Sequence, residues 1–191
     1  MPFCYVEPDT GPLRQGEVIE RLCEILPAGS IEDVIRQGED SIDQGERLPV
    51  VRVDHPYSVV VSQDCDLEWD YRARRQKAPP HKLLSHVLLC GLFTRDEIRY
   101  RPGMNPGVFD RLCTNQDERY QWFESALIGD SGTESLPELV ADFKAVFSLP
   151  VEVAYELTSS GLAVRRAIIA PPYLYHFTHR LFSYLGRIAV P

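Results

Sequence analysis

Five consecutive residues, Ser62-Gln63-Asp64-Cys65-Asp66, bring together a hydroxyl, an amide, a thiol and two carboxylates. They follow a short β-branched run, Tyr57-Ser58-Val59-Val60-Val61, itself preceded by Pro56. Such a run reads as a buried strand. Polar groups crowded at the end of a core strand are where sites are often built. Gln63, Asp64 and Asp66 are therefore candidate binding residues, with Ser62 beside them. A structural reading stands next to this one: Asp64 or Asp66 would cap a helix that begins here, because aspartate is a good N-cap. Flanking carboxylates raise a thiol's pKa, which argues against Cys65 as a nucleophile unless His55 or an arginine lies close. A metal would need Cys65 together with His55, His81 or His86, none at diagnostic spacing. No metal or other cofactor is expected. No phosphate-binding glycine loop and no Gly-x-Ser-x-Gly motif occurs.

The elements that must position these groups are short. Gly16–Leu26 alternates as a strand, and Leu48–Val53 reads as another. Asp54-His55-Pro56 reads as a turn between that strand and Tyr57–Ser62. A helix is expected over residues 64–75, broken by Lys77-Ala78-Pro79-Pro80. His86–Phe93 reads as a buried strand, residues 94–119 fit neither pattern, and Arg119–Phe123 begins a further strand. Asp130–Pro137 reads as a loop. Leu139–Phe147 has a period of two, although a short helix fits as well. Val164–Ile169 is the final strand, and Pro171-Pro172 opens a last helix. On that helix Leu174, Phe177, Leu181, Tyr184, Leu185 and Ile188 share one face, as core or as an oligomer contact. A homodimer is thus one expected assembly.

With 191 residues, 44% of them hydrophobic, the chain is long enough for one globular domain. Its net charge of −8 opposes broad binding to nucleic acid, which relies on cations meeting phosphates. The densest basic cluster is Arg72, Arg74, Arg75 and Lys77, which makes Arg72 and Arg75 the cations to watch near the Ser62–Asp66 corner. Residues 28–47 form an acidic insertion with Glu32, Asp33, Glu39, Asp40, Asp43 and Glu46, read as a mobile excursion and a candidate partner-binding segment. The five cysteines are odd in number and have no Cys-x-x-Cys pair, so a disulfide framework is not expected. With no leader or long apolar span read from the sequence, a reducing cytoplasm is the expected location and no membrane partner is expected.

Several of these pieces resemble the PemK/MazF toxin family, which has an SH3-like barrel. Gly16-Glu17-Val18 sits where that family opens an early strand, and His55-Pro56 followed by Tyr57–Asp64 sits where it has Arg-Pro and an apolar strand ending in Ser. Leu88–Thr94 is similar to its later strand ending in Thr or Ser. The resemblance implies a mainly β fold with α: a small antiparallel barrel with helical insertions and a C-terminal helix. It also implies a metal-independent endoribonuclease whose catalytic set would fall on His55, Ser62 and Thr94. His55 stands where the family has its phosphate-clamping arginine, and the chain is acidic. The reading taken forward is therefore a protein-binding or regulatory module in a bacterial toxin–antitoxin or defence system. The alternative is cleavage of single-stranded RNA.

Overall fold

The computed structural model describes residues 4–28, 50–128 and 134–187. The fold is mainly β with α. The strands are β1 (Tyr5–Val6), β2 (Glu17–Pro27), β3 (Val50–Val60), β4 (His86–Thr94), β5 (Tyr120–Phe123), β6 (Ala126–Ile128), β7 (Glu134–Leu136), β8 (Leu139–Pro150) and β9 (Val164–Ile169). The helices are α1 (Asp64–Arg75), α2 (Arg95–Arg99), α3 (Pro106–Cys113), α4 (Val151–Ser159) and α5 (Tyr173–Leu185). One antiparallel sheet runs in the order β1-β9-β2-β3-β4-β8-β5, and β6 pairs with β7 as a hairpin.

The sheet is covered on both faces. Val18, Val59, Val61, Cys90, Phe143 and Ile169 enter one core with Phe177 and Leu181 of α5. Ile19, Val60, Val87, Leu89 and Leu149 enter a second core with Leu67 of α1 and Val151 and Ala154 of α4. Burial on both faces explains why the end of β3 reads as a continuous valine run instead of an alternating one. The first core also takes residues from β1, β5 and the β6–β7 hairpin, and the rings of Tyr5 and Phe123 lie 6.4 Å apart. The two edges of the sheet therefore meet through side chains. Among the described residues β1 and β5 share no hydrogen-bond ladder, so the closed barrel expected from the sequence is not what the strand order shows.

Several local expectations need correction. Residues 54–56 do not turn: β3 runs unbroken from Val50 to Val60, with Leu22↔His55 and Glu20↔Tyr57 paired on β2. Pro56 has no N–H to offer, and Arg21 opposite it adopts φ +65°. This left-handed residue interrupts the alternation, so Val18 and Leu22, four positions apart, enter different cores. Part of the expected loop at 130–137 is strand β7. The region 94–119, which matched no pattern, contains α2 and α3. Helix α4 had no counterpart in the sequence reading. The acidic insertion, apart from Ala28, lies outside the described residues.

Candidate functional site

Ser62–Asp66 forms the corner between β3 and α1. Val61 N–H and Ser62 N–H both donate to Leu88 O, at 2.8 and 3.3 Å, while Ser62 Oγ accepts from Leu88 N–H at 2.9 Å. The hydroxyl thus extends the β3–β4 ladder past its last backbone pair. Gln63 is the N-cap of α1 and makes no side-chain cap bond. Neither aspartate caps the helix. Asp64, its first residue, accepts from Arg14 Nε and Nη2, both at 3.1 Å, and from Gln15 N–H at 2.6 Å. A two-pronged guanidinium and a backbone donor outside the helix have claimed the carboxylate that the capping expectation assigned to α1. Partial burial pushes the Asp64 carboxyl up, but Arg14 and the Gln15 N–H outweigh it and hold it below the usual carboxylate range. Asp66 is exposed, and a weak Cys65 Sγ contact at 3.8 Å is its only hydrogen bond among the described residues. Both aspartates still favour the positive end of the helix dipole.

Gly16 is what lets the Arg14–Gln15 loop reach this corner. It adopts φ +80°, donates to Val60 O and accepts from Ile169 N–H. A Cβ there would come within 2.6 Å of Leu174 Cδ1, so the same glycine also seats α5. The result is an open groove of about 500 Å³, with Gln15, Gln63, Asp64 and Cys65 on one side and Tyr175, Thr178, His179 and Phe182 of α5 on the other. Tyr175 is 65% exposed and Phe182 48%. The spacing 175, 178, 179, 182 is a second helical stripe, opposite the buried Phe177 and Leu181.

The three catalytic candidates implied by the family resemblance are not brought together. Ser62 lies at one end of β3, seven residues from His55, or roughly 20 Å at strand rise. His55 stacks on Phe147 with ring centroids 3.8 Å apart and planes 5° from parallel, its Nε2 3.4 Å from Glu24 Oε2. The paired register of β3 and β4 stops at Tyr57↔Leu92, short of both His55 and Thr94, the last residue of β4. Thr94 is occupied. Its Oγ1 accepts from Glu97 N–H, and the Glu97 carboxylate accepts from Thr94 N–H, a capping box for α2.

The arginines are largely committed. Arg72 pairs with Glu68 along α1, and Arg75 lies over the Tyr71 ring. Arg74 bridges the buried Asp70, Glu152 and Leu84 O. Arg101 and Arg119 both donate to Asp142, which is 2% exposed. Arg165 binds the fully buried Glu17. These pairs hold loops to the sheet and leave little free cation around the groove. Among the described residues no three His, Cys, Asp or Glu side chains converge as a metal site. No helix among them is long and apolar enough to cross a membrane. No protein-family model matches the chain, and neither does any curated protein.

His176 and His179 are legible in the sequence as a partly exposed side of the last helix, but the rings beside them are not. Tyr175 and Phe182 emerge only on completing the helical wheel around Phe177 and Leu181, which shows a helix apolar on two sides.

Proposed function

We propose that the chain is a noncatalytic protein-binding module that seats an amphipathic, basic segment of a partner protein in the groove between α5 and the Gln63–Cys65 corner. The observation that carries this is the exposed stripe of Tyr175 and Phe182 beside the Gln63–Cys65 corner, next to which the Asp66 carboxylate stands exposed. Large exposed rings on a helix already buried along its other side are the form helix-in-groove recognition takes. The net charge of −8 favours a basic partner. The chemistry does not favour RNA, because single-strand binding pairs stacking rings with a cationic track, and here the nearby Arg14 is neutralised by Asp64. The likeness of Gly16–Val18 and His55–Asp64 to the PemK/MazF family supports a toxin–antitoxin or defence setting for that partner.

The test begins with a partner captured from cells that carry the chain and then purified. It should bind the wild-type chain and lose at least tenfold in affinity against Tyr175→Asp/Phe182→Asp. Binding unchanged by that double variant would overturn the groove. A dimer of the chain itself that the double variant dissociates would replace the basic partner with a second copy. Discrete RNA fragments formed in EDTA, and abolished by Ser62→Ala or His55→Ala, would replace the binding module with an endoribonuclease.

A further inference from the structure

A separate cleft of about 730 Å³ lies between the end of α1, helix α4 and the Thr10–Gly11 loop. That volume falls within the range of small-molecule pockets. α1 and α4 run antiparallel here: Arg74 pairs with Glu152, and the Tyr71 and Tyr155 rings lie 5.9 Å apart. Both rings line the cleft and offer a flat group an aromatic wall.

The charged lining narrows the ligand class. Four charged side chains line the cleft, and two of them are occupied by the fold. Arg74 donates to Asp70, Glu152 and Leu84 O, and Arg165 donates to Glu17, Gly11 O and Pro12 O. The other two, Arg75 and Glu156, are exposed, and neither side chain makes a hydrogen bond or ion pair among the described residues. The Arg75 guanidinium instead lies over the Tyr71 ring, 5.8 Å from its centroid, with its N–H groups left to donate. A cation and an anion therefore stand unpaired along one ring-lined cleft, and they do not pair with each other. A simple anion would meet Arg75 and face Glu156, and a simple cation the reverse; only a ligand that carries both charges matches both. We propose that this cleft binds a free aromatic α-amino acid as its zwitterion, with the ring against Tyr71 and Tyr155, the carboxylate on Arg75 and the ammonium group on Glu156. A residue inside a peptide chain lacks both charges, so this ligand is a small molecule and the site is independent of the groove beside α5.

The probes share one ring system: L-tryptophan, tryptamine, which lacks the carboxylate, and indole-3-propionate, which lacks the ammonium group. Calorimetric titration of the full chain should give a saturable heat with L-tryptophan, and each truncated probe should bind at least tenfold more weakly. Arg75→Gln should bring L-tryptophan down to the level of tryptamine and leave tryptamine no weaker. Glu156→Gln should bring it down to the level of indole-3-propionate and leave that probe no weaker. Each variant thus removes only the matched difference, a pattern that general loss of structure would not give. Both positions are exposed, so both variants should fold. A heat that does not saturate by millimolar L-tryptophan would overturn the proposal. So would a truncated probe that binds as tightly as L-tryptophan, an L-tryptophan affinity unaffected by either variant, or equal binding of L-alanine, which has both charges and no ring.

Discussion

The two faces of α5 carry similar side chains and have opposite fates. Phe177 and Leu181 are fully buried, with Phe177 packed against the rings of Phe123 and Phe143. Tyr175, on the other side of the same helix, stands largely in solvent, and Phe182 is half-exposed. The inner face explains why the helix is there at all. The outer face does nothing for the core that a polar residue could not do. Aromatic area that folding does not use is available for recognition, and the account of function rests on that difference.

The sharpest way to break the comparison is to truncate one ring on each face. Phe177→Ala should destabilise by roughly 3–5 kcal/mol. Phe182→Ala should stay within about 0.5 kcal/mol, as surface changes do. Urea denaturation measures both, and equal losses would mean that the outer face is also structural. Next in size is Asp142→Ala, expected to cost about 3 kcal/mol because it strands the guanidinium groups of Arg101 and Arg119. Little loss in the same measurement would show that those cations re-solvate freely.

The buried carboxylates also give opposite pH signatures. Burial raises Asp142, but the hydrogen bonds from Arg119, Lys144 N–H and Arg101 outweigh it, and its carboxyl sits below the usual range. A depressed folded pKa means that the unfolded state binds more protons, so this stabilisation is present above about pH 4 and is lost as pH falls further. Glu17 has one guanidinium partner and full burial, and burial wins, raising its pKa. Its contribution has the reverse sign: it is complete below about pH 4 and is lost as pH rises through the raised value. Thermal melts across the acid range should show Asp142→Asn flattening the acid-side fall and Glu17→Gln removing the opposing slope. The reverse pattern would refute the assignment. Smaller again is Thr94→Ala, which should cost about 1 kcal/mol through the lost cap of α2. A Thr94→Ala chain as stable as wild type would show that the capping box contributes nothing.

The sequence disclosed the elements whose cause is local. The apolar runs in β3, β4 and β9 and the proline break after α1 all lie where their patterns put them. It hid what depends on distant residues. His55-Pro56 reads as a turn because proline lacks a donor, yet β3 continues through it, opposite the left-handed Arg21 on β2. Asp64 reads as a cap because nothing in the local run reveals Arg14, fifty residues earlier. The antiparallel, mainly β character was legible, whereas closure of a barrel is a matter of edges that no short motif encodes. At the site, Gln63, Asp64 and Cys65 were legible as a polar corner, but α5 as its opposite wall was not.

The most direct test of the central claim uses Cys65, which is exposed and lines the groove. A photo-crosslinker attached to Cys65 should, in extracts of cells that carry the chain, join it to one protein. The adduct should survive ribonuclease treatment and disappear with Tyr175→Asp/Phe182→Asp. An adduct to RNA, or a protein adduct indifferent to the two outer rings of α5, would contradict the account.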